Sequence, residues 1–202
     1  MKLPVFHAAI AAALLTFAPP AIARETAFPA MSEEALAPKT TPKGYDVTVI
    51  VFSDYGCPYC KKLHGTLAQL LARDRKVRIV WRDWPIFGEA SLLAARAAIA
   101  SQWQGKHAAF NAAMFAQPGR VTEASVQAAA KAAGVDWARL QQDMKARAKE
   151  IDTVIGRSNA GAKALEFHGT PGLLIGNARF GGAASLTQLM EAVAQARKSG
   201  LG

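Results

Sequence analysis

Cys57 and Cys60 are the only cysteines in this 202-residue chain, three positions apart in Cys57-Pro58-Tyr59-Cys60. A pair so close, with no other cysteine to partner it, is either a redox couple or half of a metal site. A bridge between them closes a loop of two residues and constrains the unfolded chain very little, so stability is a poor reason for it. Haem attachment requires His after the second cysteine, and position 61 is Lys. Zinc requires two further ligands. His64 has a workable local spacing, but the fourth ligand would have to come from the distant His107 or His168. The reduced pair is soft enough to capture copper(I). Thiol–disulfide exchange needs only the two sulfurs, one to attack and one to resolve.

Exchange also needs a place that favours a thiolate, and the flanking residues describe one. Residues 46–53 form an apolar, β-branched run of the kind that makes a buried strand. After the pair, Leu63, Leu67, Leu70 and Leu71 recur at helical spacing and predict an amphipathic helix over about 58–73. The cysteines thus fall where a strand turns into a helix N-terminus, with Pro58 at the position where proline costs no hydrogen bond. The free N–H groups and partial positive charge of a first helical turn stabilise an anion. Cys57 is therefore expected to attack, and the more enclosed Cys60 to resolve the mixed disulfide. Pro58 and Tyr59 are expected to tune the redox poise.

Further elements complete the frame. Val77, Ile79 and Trp81 alternate with Arg78 and Arg82, which predicts a second strand over 77–82, parallel to the first through the crossover helix. From Glu89 to Glu150 the chain is rich in alanine and poor in β-branched residues, and Gly105, Pro118-Gly119 and Gly134 divide it into four short helices. Thr122 and Asp136 are expected caps, each flanked by staple residues: Val121 with Val126, and Val135 with Leu140. A fifth helix follows over about 151–166. The β pattern returns at 170–175, Gly176-Asn177 signals a hairpin to 178–180, and Ser185 with Gln188 caps a last helix carrying Leu186, Leu189, Met190 and Val193. Residues 24–44 read as a short lead-in whose prolines allow one helical turn at most.

The first 23 residues read as an export leader: Lys2, an apolar run over 5–18, and a small-residue cleavage site at Ala21-Ile-Ala23. Cleavage after Ala23 leaves about 179 residues for one domain, in an oxidising compartment such as the periplasm. The net charge of +9 is scattered, with no basic block or nucleic-acid-binding motif, so nucleic acid is not an expected partner.

Three segments together carry a family resemblance: Phe52-Ser-Asp-Tyr-Gly-Cys-Pro-Tyr-Cys-Lys61, Val77-Arg-Ile-Val-Trp-Arg-Asp-Trp-Pro-Ile86 and Gly169-Thr-Pro-Gly-Leu-Leu-Ile-Gly176. In that order they resemble the DsbA-like branch of the thioredoxin superfamily, and within it the Com1 and ScsC types of periplasmic oxidoreductase. The resemblance covers about 46–198. It implies an α/β thioredoxin fold (βαβ…ββα) spanning 45–202, with an α-helical domain inserted over about 88–150. It also implies Cys57 as nucleophile, Cys60 as resolving cysteine, Pro171 as a cis proline and Thr170 as a substrate contact, with no cofactor. The expected activity is thiol–disulfide exchange with cysteine-containing proteins, served by a membrane or soluble redox partner. The isomerase, reductase and copper-handling readings stay open.

The sequence also departs from that pattern. DsbA has His before its second cysteine, where this chain has Tyr59, and DsbA's buried acid aligns with Val51; Asp54 lies nearby without having to take that role. The 21 residues of Arg24–Gly44 are too short for the oligomerising stalk of the isomerase relatives, so a monomer is expected.

Overall fold

The computed structural model describes residues 28–202; the expected leader and its cleavage site lie outside them. Five strands form one sheet in the order β1-β3-β2-β4-β5. They are β1 (Lys39–Thr40), β2 (Val47–Ser53), β3 (Val77–Asp83), β4 (Gly172–Ile175) and β5 (Ala178–Gly181). β2 and β3 are parallel, joined by helix α1 (Pro58–Arg73), while the β1–β3, β2–β4 and β4–β5 pairs are antiparallel. Between β3 and β4 the chain makes α2 (Glu89–Ser101), a 3-10 turn at Gln102–Gln104, α3 (His107–Ala116), α4 (Glu123–Ala132), α5 (Trp137–Ala146) and α6 (Ala148–Ala164). It ends with α7 (Leu186–Lys198). The architecture is the mixed α/β thioredoxin fold that the three segments imply.

β2 explains why the sheet has helices on one side and a second packed layer on the other. Its alternate residues Val47, Val49 and Val51 meet Leu63, Leu67 and Leu70 of α1 and Leu189 and Val193 of α7. Ile50 and Phe52, pointing the opposite way, meet Trp84, Leu165, Phe167 and Met31. Alternation with both faces covered is what a near-continuous apolar strand requires.

β3 is buried along its whole length, arginines included. Arg78 pairs with Glu33 at 2.6 Å and Arg82 pairs with Glu34, which Arg157 also reaches at 2.8 Å. Burial pushes the Glu34 carboxyl up, but Arg82 and Arg157 outweigh it and hold it below the usual carboxylate range. Residues 28–44 of the lead-in are therefore part of the fold. Besides a helical turn ending at residue 32 this segment contributes β1, against the expectation of one helical turn at most. Pro38 is compatible because it accepts, through its carbonyl, from the Trp81 N–H at 2.9 Å and need not donate.

The helix signals in the alanine-rich stretch act as read. Thr122 and Ser125 cap α4 reciprocally, Asp136 accepts from the Arg139 N–H at 3.0 Å, and Gly105 turns the chain in the left-handed region. α6 starts three residues earlier than expected, at Ala148. In α7, Met190 is exposed and the buried stripe is Leu189, Ala192, Val193 and Ala196. Leu186 packs half-buried against the same core, so of the expected face Met190 alone turns outward. Among the described residues no helix is long and apolar enough to cross a membrane.

Candidate active site

β2 ends at Ser53, and Asp54-Tyr55-Gly56 carries the chain into α1 in one turn. Cys57 is the N-cap of α1 in extended conformation, and Pro58 opens the helix. The Cys57 N–H donates to the Asp54 carbonyl at 3.1 Å, and the Cys57 carbonyl accepts from Cys60 and Lys61 at 3.1 and 3.2 Å. Cys57 is thus held at the positive end of a sixteen-residue helix. Both cysteines are unbridged and both are buried. Cys60 is 1% and Cys57 2% exposed, the loop before β4 closing over Cys57.

That loop contains the second motif. The Thr170–Pro171 peptide bond is cis, and the Thr170 carbonyl accepts from the Cys57 thiol at 3.2 Å. The Pro171 carbonyl is taken by the Gly182 N–H at 2.8 Å. Cys60, one turn into α1, receives the Asp54 N–H at 3.5 Å. Burial pushes the Cys60 thiol well above its ordinary range, against the smaller opposite effect of that N–H. The two sulfurs therefore have separate surroundings: Cys57 meets a carbonyl at the surface loop, and Cys60 a backbone donor beneath it. Pro58 is exposed, and Tyr59 is 64% exposed with its ring turned to solvent. The structure thus brings together Cys57 and Cys60 with Thr170 and Pro171, from two segments of the chain.

The helical block closes one side. Phe115 of α3 lies 4.8 Å, ring to ring, from both Tyr55 and His64, and the Lys61 ammonium donates to the Gln117 carbonyl at 2.8 Å. Between α1 and the block, a cleft of ≈110 Å³ beside Cys57 is lined by Pro58, Lys61, Met114, Phe115, Gln117 and Arg120. His64 is partly buried and burial lowers its pKa. Among the described residues no three His, Cys, Asp or Glu side chains are placed to hold a metal ion.

Two buried carboxylates lie near the turn, Asp54, which sequence reasoning named without a role, and Asp83, which it missed. Asp54 is buried and fully engaged: one oxygen accepts from the Gly56 N–H at 2.6 Å, the other from Ile86 and Phe87 at 2.6 and 3.0 Å. Asp83 pairs in register with Ser53 at the end of β3 and is also buried. Burial, then the charge of Asp54, pushes its carboxyl up to about 7. One of its oxygens has no hydrogen-bond partner among the described residues. Tyr55 beside it gives its own hydrogen to Asn111 at 3.0 Å. The parallel register of two apolar strands was the available signal, since it sets the residue ending β3 beside the one ending β2.

A family model described as Thioredoxin matches residues 45–195. A thioredoxin-like oxidoreductase from Silicibacter pomeroyi DSS-3 is 40% identical, with a TM-score of 0.79 over 83% of this chain and 96% of that one. The thiol-disulfide exchange protein alpha-DsbA2 from Wolbachia pipientis is 27% identical, with a TM-score of 0.80 over 87% and 96%. A periplasmic thioredoxin-like protein from Salmonella enterica serovar Typhimurium is 25% identical, with a TM-score of 0.73 over 87% and 96%. The catalytic domain of Proteus mirabilis ScsC shares the fold at 21% identity, with a TM-score of 0.72 over 89% and 97%. Among curated proteins, the Na(+)/H(+) antiporter NhaA 1 of Salinispora arenicola is 27% identical over 157 residues, 77% of this chain and 24% of the antiporter. The chain therefore spans about a quarter of the length of the curated relatives it matches.

Proposed function

This chain belongs to the thioredoxin family, on its DsbA-like branch, and from that premise we propose that it exchanges disulfides with cysteine-containing proteins through Cys57-Pro58-Tyr59-Cys60. The observation that carries the reading is the placement of Cys57: N-cap of α1, its sulfur 3.2 Å from the carbonyl that precedes the cis proline. In the oxidising direction a substrate thiolate attacks the Cys57 sulfur of the Cys57–Cys60 disulfide, and Cys60 leaves and takes up a proton. A second substrate thiolate then attacks the substrate sulfur of the mixed disulfide, forming the substrate disulfide and releasing Cys57 as thiolate. In the reverse direction Cys57 attacks a substrate disulfide and Cys60 resolves the mixed disulfide. The high proton affinity that burial gives Cys60 keeps it a thiol until the Cys57 sulfur is bonded, which suits the resolving role.

Thr170 and Pro171 are the proposed substrate contacts, and Pro58 and Tyr59 the residues that tune the couple. The leader supports export to the periplasm, with the partners being cysteine-containing proteins and a membrane or soluble redox protein. Insulin reduction and refolding of a reduced, multi-cysteine protein test the function. Wild type is expected to be active in both, Cys57→Ser inactive in both, and Cys60→Ser arrested as a mixed disulfide visible by intact mass. Equal behaviour of wild type and Cys57→Ser rules the proposal out.

A further inference from the structure

The cleft of ≈110 Å³ between α1 and the helical block opens on the reactive sulfur, since Cys57 is part of its lining. Its charges are of one sign. Lys61 of α1 and Arg120, in the turn before α4, both line it, and no Asp or Glu does. Neither cation is in an ion pair among the described residues. Lys61 is held instead by a neutral acceptor, the Gln117 carbonyl at 2.8 Å. That uses one of the three ammonium donors and leaves two for a ligand. Arg120 follows Gly119, which turns the chain in the left-handed region at φ 71°, a conformation that glycine adopts at no steric cost. The backbone dipoles act in the same sense: Cys57 is the N-cap of α1, and the cleft also touches the first turn of α4 at Ser125. Glu123, the acidic residue of that turn, is exposed and lies outside the lining.

We propose that this cleft is a subsite for the carboxylate of a low-molecular-weight acidic thiol in disulfide linkage with Cys57, so that the protein exchanges disulfides with small anionic thiols as well as with proteins. The inference rests on the exchange function proposed above. The volume, roughly that of four waters, suits a ligand that ends there better than one whose chain continues. Tyr55, Met114 and Phe115 give the carbon skeleton an apolar wall, and the two cations take the charge by charge-assisted hydrogen bonds. The Cys57 thiolate attacks one sulfur of the small disulfide, whose S–S bond breaks; the first small thiol leaves as thiolate and takes up a proton. Cys60 then gives up its proton, attacks the Cys57 sulfur and expels the second small thiol, which is protonated in turn. The protein dithiol is oxidised to the disulfide, and the small disulfide is reduced to two thiols.

The test uses glutathione disulfide and its form esterified at both glycine carboxylates, each mixed at low ionic strength with the reduced protein. Oxidation of the protein is followed by alkylation and intact mass. Each rate is divided by that of dithiothreitol with the same disulfide, which removes the intrinsic reactivity of the disulfide. Wild type is expected to favour the free acid about fivefold, the upper range for a partly exposed ion pair. In Lys61→Gln/Arg120→Gln the ratio falls towards one, and in each single variant part of the way. Both disulfides meet the same Cys57, so any change in its nucleophilicity cancels. Lys145→Gln/Lys149→Gln, which removes two exposed charges from α5 and α6, keeps the ratio. Decapeptide disulfides with Glu or Gln beside a single cysteine are expected to differ by less than the two small disulfides. A wild-type ratio near one, a ratio unchanged in the cleft double variant, an equal fall in the remote one, or a larger ratio with the decapeptides overturns the inference. So does inertness towards both small disulfides in a protein that still reduces insulin. Inertness towards insulin as well overturns the exchange function itself.

Discussion

Asp83 is a residue whose consequence shows outside the chemistry of the thiols. Burial and the Asp54 charge raise its carboxyl to about 7 in the folded chain, against about 3.9 in an unfolded one. Between those values the folded form holds a proton that the unfolded form has lost. Its contribution to stability is therefore fully present below about pH 4 and is lost as pH rises to 7, an effect on the order of a few kcal/mol. His107 works in the opposite sense. Both ring nitrogens are buried without partners among the described residues, and burial lowers its pKa to about 3, so stability is lost as pH falls below about 6.5. Asp83→Asn keeps the shape and removes the charge. Urea unfolding at pH 4, 5.5 and 7 is expected to show the variant gaining on wild type steadily as pH rises. Equal pH slopes for the two proteins would mean that Asp83 is ionised in the folded state.

The elements differ in how openly the sequence announces them, and β1 with its acidic approach is the least open. Arg82 has its side chain 1% exposed against a Glu34 side chain at 6%. Removing one partner of such a pair leaves an uncompensated buried charge, which costs about 3–5 kcal/mol. Glu34→Gln is accordingly expected to lower unfolding stability by about 3 kcal/mol, and a loss below about 1 kcal/mol would mean that Arg82 is solvated some other way. Nothing local in Ser32-Glu33-Glu34 or Lys39-Thr40 predicts this, because the pairing partners lie 39 to 48 positions downstream in β3. β2, α1 and the caps at Thr122, Asp136 and Ser185 were legible because each is written in neighbouring residues: an apolar run, a leucine spacing, a side chain three positions before the N–H it receives. The same division holds at the site. Cys57 and Cys60 announce themselves as a pair at a helix start, and Thr170-Pro171 through the resemblance. Asp83 and the Asp54 clamp on Ile86 and Phe87 arise from strand register and loop return, which no local pattern encodes.

At the scale of the whole molecule, the helical block and the thiol site share one interior. Tyr55, Cys57 and Cys60 belong to the same buried cluster as Ala97, Ile99, Phe110, Met114, Val126, Leu140 and Ile151. A helical insertion with its own isolated core could unfold separately and leave the sheet intact. Here its loss would strip the cover from the cysteines, from α1 through His64 and Phe115, and from the Tyr55–Asn111 hydrogen bond. The chain should therefore unfold in a single cooperative transition, with far-ultraviolet circular dichroism and tryptophan fluorescence coincident. Phe110 is fully buried in the block, so Phe110→Ala should cost about 3–5 kcal/mol. Because the core is shared, that loss should move both signals together and should also raise the alkylation rate of Cys57 and Cys60 by the same free energy, through the larger unfolded population. An early circular-dichroism transition in Phe110→Ala, with the cysteines still protected, would instead make the helices a separate folding unit and leave the enclosure of the thiols to the sheet and the Thr170–Pro171 loop alone.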